Sequence, residues 1–579
     1  MDALQAELTY GYEHQSGGID LSYQEESFYV RDLINRYTLI ENGNVKYNVP
    51  RGGVLNKSVN QLQAHRIRGQ FNFNKAMGNN HRLNWLLGGE ISSTNSTEDS
   101  YGVYGYDEDV MTSKNVDYIS QFPIYGNLSG KLSIPSFSGY KDRMIRYVSL
   151  YSNAQYDLLG RYSFSASVRK DASNGFGSKT NTRWNPLWST GFAWNMAKEQ
   201  FIQNIGWIDR LKLRATVGVG GNAVPSSATE VTLTFSSNST YTYLPFAQVV
   251  NPSNASLKWE SVRMNNYGID FGLLADRLFG SVEYYVKRSF DILSPDFIDP
   301  TTGFGAMTKN IGEIKSKGLD INLTGQINFG QVRWTPQVIF SYASNVITSY
   351  KGTIGATVNY VNGGNSITPI EGKQLYPVFS YRFAGLDPQN GDPMGYLKDE
   401  VSKNYPKMIA DSLQYLNFHG TALPPYYGSF NNSITYKNFA VSMNLLFKWG
   451  HYFRRESIAY ASLFNSWTGH GDFAKRWLKP GDEQITSVPS MSYPADANRD
   501  NFYLKSEANI DRGDLIRFQS VRLSYNTTLK TGTRAIRAMV FVGANNLGIV
   551  WKKSKSTLDP DFIGTPNPRL LTMGLNLQL

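Results

Sequence analysis

The sequence contains no cysteine, which excludes disulfide frameworks and thiolate metal sites. It also has no uninterrupted run of the ~18 apolar residues that a membrane-spanning helix needs. The opening stretch from Met1 to Glu7 lacks the basic start and apolar core of an export signal, so the front end of an exported protein is expected to lie outside this sequence. Charge is sparse: 18% of the 579 residues are charged, for a net +10 and a pI near 9.2. The lysines and arginines form no dense stripe and no basic helix, so a nucleic-acid partner is not expected. Scattered solvated charge, or contact with anionic headgroups of a membrane, is the better reading.

Chemistry-bearing patterns are equally scarce. The six histidines (His14, His65, His81, His419, His451 and His470) are scattered, with no metal-ligand spacing. No nucleophile elbow and no spaced carboxylate pair appears. Gly175–Thr180 ends like a phosphate loop but lacks the first glycine at the required distance and follows a strand pattern, so it reads as a turn. Asp387-Pro-Gln-Asn-Gly-Asp-Pro393 could suggest a calcium loop, but it lacks the spaced acidic ligands and terminal Glu, and its core is ordinary turn chemistry. No enzyme activity, catalytic residue, metal or cofactor is therefore expected. Tyr101, Tyr104 and Tyr106, the pair Tyr241 and Tyr243, and Trp467 could stack on a ligand. Packing within loops, or an aromatic belt at a membrane rim, accounts for any one of them more simply, and no ligand-binding residue is singled out.

What the chain does have is aromatic content and period two. Aromatics make up 14% of residues, 37 of them Tyr, yet mean hydropathy is only −0.37. Along Leu257–Leu293, Tyr267, Ile269, Phe271 and Leu273 alternate with Gly268, Asp270 and Gly272. After a tight link at Leu274–Asp276, Leu278, Val282, Tyr284 and Val286 alternate with Ser281, Glu283, Tyr285 and Lys287. Successive side chains of a strand point to opposite faces, so this is a hairpin with one apolar and one polar face. The pattern recurs. Ile67, Phe71 and Phe73 lead into Leu83, Trp85, Leu87 and Ile91. Phe164, Ala166 and Val168 alternate with serines. Leu319, Ile321 and Leu323 alternate with Asp320, Asn322 and Thr324, and Phe439 to Trp449 and Leu571 to Leu579 behave alike. Near the start, Leu8, Tyr10 and Tyr12 are followed by a turn expected at Gly17–Gly18.

Roughly 16–18 strands can be counted, many near the ~10 residues that cross a bilayer when tilted. Tight turns are expected near 76–80, 158–160, 274–276, 329–331, 437–438 and 529–533. Long irregular connections are expected near 93–142, 171–185, 221–255, 291–310, 345–371 and 451–511. Short turns at one rim and long loops at the other describe an outer-membrane barrel. A soluble sandwich or propeller has shorter strands and hides its apolar faces in protein. The expected fold is all-β: a transmembrane antiparallel barrel with long extracellular loops, one domain over 1–579. Leu323 should face lipid and Asn322 the lumen, with Leu274–Asp276 a periplasmic turn.

Several collinear segments resemble the SusC/RagA-type TonB-dependent outer-membrane transporters. They include Phe28–Asn35, Tyr162–Gly177, Leu211–Asn222, Leu257–Glu260, Asn310–Gly318, Gly385–Pro393, Arg476–Asp482, Arg517–Tyr525 and Asn567–Asn576. The resemblance implies a barrel of about 22 strands with a plugged lumen, driven by TonB through an N-terminal plug and TonB box. It also implies a SusD-like surface lipoprotein partner and import of oligosaccharides or peptides. On this reading the chain is the C-terminal barrel portion, beginning after the plug, the TonB box and the first strands, and is not expected to transport alone. Its last residue, Leu579, stands where such barrels usually end in an aromatic. A passive porin or structural barrel is the alternative, and a barrel-embedded hydrolase a more distant one.

Overall fold

The computed structural model describes residues 4–125, 130–174, 184–222, 232–236, 244–252, 254, 256–352, 355–362, 367–531, 534–564 and 566–578. One antiparallel sheet dominates. It counts 18 strands, two of them short additions at Thr112–Lys114 and Ile327–Phe329. The long strands are β1 (Leu4–Tyr23), β2 (Gly53–Met77), β3 (His81–Asp107), β4 (Gly139–Leu158), β5 (Tyr162–Ser173), β6 (Asn185–Asn195), β7 (Ile208–Asn222) and β8 (Glu260–Leu273). They continue as β9 (Leu278–Phe297), β10 (Ala306–Gly325), β11 (Val332–Tyr350), β12 (Tyr426–Tyr436), β13 (Phe439–Trp449), β14 (Leu515–Thr531), β15 (Arg534–Lys552) and β16 (Leu570–Gln578). Each pairs with its predecessor and successor in chain order, from β1 on β2 through to β15 on β16. Among the described residues β1 and β16 each have one neighbour only, so the wall is a curved sheet with two free edges.

The register aligns the apolar faces into rows. Tyr267 pairs with Tyr284, Tyr284 with Leu319, Leu319 with Tyr342, Tyr342 with Tyr426, and Tyr426 with Trp449. This row of rings forms one belt. Tyr436, Phe439 and Tyr525 form a second near the tight-turn rim, with the Phe439 and Tyr525 rings 4.9 Å apart. Tyr426 and Tyr436 are ten residues apart, the length that spans the hydrocarbon layer at a barrel's tilt. Leu323 sits between the belts, in the row with Phe271, Val338, Phe430 and Leu445. Amphipathic aromatics at both interfaces with aliphatic rows between them define the bilayer position. Asn432 falls on this lipid face, and its carbonyl accepts from the Trp334 indole at 3.1 Å, so the polar group is satisfied within protein.

The opposite face is polar and cross-linked. Arg214 donates to Asp270 and to Glu283, each at 2.8 Å. Gln337 bridges Asn322 at 3.1 Å and Asn431 at 3.2 Å. At the tight-turn rim Leu274, Ala275 and Asp276 are all left-handed, with φ between 55° and 59°. That geometry is uncommon for non-glycine residues. It is held by Leu274 N–H on the Trp207 carbonyl at 2.8 Å and Asp276 N–H on the Asp209 carboxylate at 3.0 Å.

Several expected boundaries move. No turn forms at Gly17–Gly18: β1 runs straight through, with Gly17 opposite Asn60 and Gly18 opposite Val59. Continuous pairing along β2 overrides the weak strand preference of glycine. The connection expected to begin at residue 93 begins only after Asp107. β3 is 27 residues long, far beyond the ~10 that lipid requires. From Ser92 to Ser100 it is polar on both faces, so alternation vanishes while the ladder continues. β9, β10 and β11 overrun their expected ends in the same way, to Phe297, from Ala306 and to Tyr350.

Leu323→Arg in the full-length receptor is expected to cost about 2–4 kcal/mol, while Asn322→Arg costs little. Denaturant titration in lipid vesicles measures both. Equal costs would place the faces wrongly.

Candidate functional site

At the long-loop rim the connections after β1, β3, β11 and β13 are not irregular but folded into two caps. The first comprises residues 24–52, 108–125 and 130–138. Its helix Phe28–Arg36 starts at Ser27, whose hydroxyl accepts from Val30 N–H at 3.3 Å. Val30, Leu33 and Ile34 lie at helical spacing and pack with Tyr37, Val49, Tyr104, Ile124 and Ile134 into a closed core.

The second cap comprises residues 351–352, 355–362, 367–424 and 450–514. It has a core of Tyr360, Val361, Phe379, Tyr381, Tyr405, Met408 and Phe502, and a smaller one of Ile458, Tyr460 and Val488. Its helix Ala497–Lys505 begins at Asp496, whose carboxylate accepts from Asn498 N–H at 2.8 Å and from Arg499 N–H. Arg499 is buried, donates to Asp392 at 2.8 Å and also holds the Ser490 carbonyl at 2.8 Å. Asp472 gathers Arg455, Ser457 and Lys475 within 3.1 Å. Burial would raise its carboxyl, but Lys475, Ser457 and Arg455 together hold it below its ordinary value.

A strap between β15 and β16 meets this cap where the Ser554 hydroxyl donates to the Asp511 carboxylate at 2.9 Å, and it is also fixed to the wall. Arg517 on β14 pairs with Asp559 at 2.7 Å and Asp561 at 3.0 Å, and Asp561 also takes Lys448 of β13 at 2.7 Å.

Two clefts open where the second cap meets the wall. The one of about 460 Å³ is lined by Ile339, Leu375, Leu423, Pro424, Tyr427 and Leu446. The other, of about 760 Å³, shares Leu423, Pro424 and Lys448 with it and adds His451, Arg454 and Lys505. Both fall in the size range of ligand pockets.

The aromatics singled out by sequence separate. Tyr104 is fully buried in the first cap's core and donates to the Pro135 carbonyl at 2.9 Å. Tyr101 and Tyr106 lie with it on the outer part of β3, not on a loop. Trp467 is 93% exposed, in a left-handed position (φ 56°) at the end of the helix Tyr460–Ser466. Tyr241, Tyr243, Gly175–Thr180 and Leu579 lie outside the described residues.

The segment Asp387–Pro393 is a turn whose carboxylates face cations. Asp387 takes Lys403 at 2.6 Å, and Asp392 takes Arg499. Gly391, at φ 72°, lies against Trp477, where a Cβ would come within 2.4 Å of the indole. The residues sequence reasoning passed over are Arg454 and Lys505. Nothing local distinguishes them from other surface cations; only the folded caps enclose them.

A profile of the TonB dependent receptor-like, beta-barrel family matches residues 2–547, and the chain belongs to that family. It is an outer-membrane β-barrel wall. Among curated relatives, TonB-dependent receptor P26 of Formosa agariphila is 24% identical over 94% of this chain and 56% of its own length. TonB-dependent receptor SusC of Bacteroides thetaiotaomicron is 25% identical over 74% of this chain and 43% of its own. The chain spans about half the length of the curated relatives it matches. The RagAB peptide importer in its 'closed-closed' state superposes with a TM-score of 0.76 at 18% identity, covering all of this chain and 60% of the solved one. That likeness concerns the fold.

Arg499→Ala leaves Asp392 without its buried partner and is expected to cost about 3–5 kcal/mol. Limited proteolysis should open the second cap while the wall stays resistant; an unchanged cap would refute its dependence on this pair. The cap should also loosen in acid. Burial pushes His419 and His451 below 6.5, against the opposing carboxylates of Glu507 for the first and of Asp561 and Asp514 for the second. The unfolded segment binds protons that the folded one refuses, so stability is full above pH 6.5 and falls as pH drops below it. Amide exchange across 417–421 and 451–454, corrected for intrinsic rate, should be faster at about pH 5.5 than at about 7.5, and the difference should shrink in the double His→Gln variant.

Proposed function

We propose that the chain forms the barrel wall and ligand-facing mouth of a TonB-dependent nutrient importer for oligosaccharides or peptides. The reading is supported above all by the placement of two folded caps at one rim, with ligand-sized clefts between cap and lumen wall. A passive pore needs loops that constrict; it has no use for separately packed caps that enclose clefts. The chain's role is non-enzymatic: it binds and passes cargo.

A SusD-like surface lipoprotein is the partner proposed for the caps, and the receptors named SusC and RagAB support that choice. TonB acts through a plug carried by the remaining length of the receptor, which this domain surrounds. Among the described residues the wall has two free edges, whose N–H and C=O groups cannot be left unpaired in lipid at several kcal/mol each, so this domain works only within a closed barrel.

Cells lacking their own copy and supplied with the full-length gene should take up labelled oligosaccharide or peptide, and should lose that uptake when TonB is deleted. Residues 1–579 alone should restore none. Uptake that survives TonB deletion, or that the domain alone restores, would overturn the proposal.

A further inference from the structure

The larger cleft has an unusual charge balance. Lys448, Arg454, Arg455 and Lys505 line it, against the carboxylates of Glu456 and Asp561. Two of the cations are committed elsewhere: Lys448 to Asp561 at 2.7 Å and Arg455 to Asp472 at 3.1 Å. The other two are not. One terminal nitrogen of Arg454 (Nη2) donates to the Val361 and Phe379 carbonyls, at 2.9 and 2.5 Å. The other (Nη1) is buried with no acceptor among the described residues. Neither Arg454 nor Lys505 has an ion-pair partner among the described residues, although Glu456 lies close enough to Lys505 to favour its charge slightly. Burial lowers the Arg454 guanidinium to about 10. It lowers Lys505 as well, helped by the charge on Arg454.

Two neighbouring cations, partly removed from water and without an ion-pair partner among the described residues, are costly alone. They are favourable once an anion shares the site, because attraction grows as the local dielectric falls.

The adjoining cleft supplies the second half of the argument. Its exposed surface is mainly apolar, from Ile339, Leu375, Leu423, Pro424 and Leu446 together with the rings of Tyr376, Tyr427 and Phe447, beside polar Asn345, Gln374 and Thr421. An aliphatic side chain seated there gains about 25 cal/mol per Å² of apolar surface removed from water. Leu423, Pro424 and Lys448 border both clefts, so one ligand can reach both.

We propose that the joined clefts bind the C-terminal end of an oligopeptide, with its carboxylate between Arg454 and Lys505 and an aliphatic side chain in the neighbouring cleft. This deepens, and rests on, the import reading above.

The test uses the purified full-length receptor and three probes: an N-acetylated apolar pentapeptide with a free C-terminal carboxylate, its C-terminal amide, and an oligogalacturonate. Titration calorimetry should show the free acid binding at least roughly tenfold more tightly than the amide, as for loss of one desolvated charge contact. Lys505→Gln should remove most of that preference. Lys505 is the substitution of choice because its side chain holds no other group, whereas Arg454 also ties two cap carbonyls. Equal binding of acid and amide overturns the proposal. So does an acid preference that survives in Lys505→Gln, or tighter binding of the oligogalacturonate at the same site. Uptake of labelled peptides separates the two layers. Equal import of acid and amide, or uptake of oligosaccharide but of neither peptide, defeats the subsite alone; uptake of neither peptide nor oligosaccharide defeats the importer reading and the subsite with it.

Discussion

Every backbone N–H and C=O inside a bilayer must find a partner within the protein, because lipid offers none and each orphan costs several kcal/mol. That constraint explains why the chain builds strands in sequence order, each bonded to the one before and the one after. It explains why tight turns join them at one rim, and why even Asn432, on the lipid face, is bonded to the Trp334 indole. Side chains then divide by parity: rows of Leu, Val, Phe and Tyr outward, and an Arg–Asp–Glu and Asn–Gln lattice inward.

Above the membrane the constraint lifts and a different physics takes over. The strands continue into water as bare ladders, and the connections must bury apolar surface against one another to hold any shape. They do so in two caps, each around its own small core. The price is paid in polar groups drawn inside. Most are matched, as Arg499 is by Asp392 and Ser490, or Asp472 by Arg455, Ser457 and Lys475. Among the described residues, Arg454 and Lys505 are cations without an ion-pair partner, and they line the cleft where cap, wall and strap meet.

The readable part of the molecule was the part lipid touches. Tyr267 to Leu273, Leu319 to Leu323 and Phe439 to Trp449 reveal their faces by period two alone, and the turns at Leu274–Asp276, Gly330 and Lys437 sit where residue choice places them. Family resemblance was legible in short collinear segments such as Leu211–Asn222. The outer half of β3 was not, because its polar run from Ser92 to Ser100 lacks the alternation that marks a strand. The caps were not either, since Phe28–Arg36 and Ala497–Lys505 are nine-residue helices set inside long polar stretches, too short to carry a strong periodic signal.

By itself, then, the sequence determined an outer-membrane wall, its lipid and lumen faces and its tight-turn rim, because each follows from neighbours one or two residues apart. The tertiary structure alone decided how the loops fold and where charge is left uncompensated. The Arg499–Asp392 pair joins residues 107 apart, and Lys448–Asp561 residues 113 apart. No local pattern encodes which cation meets which carboxylate across such distances, so none could show that Arg454 and Lys505 form no ion pair among the described residues.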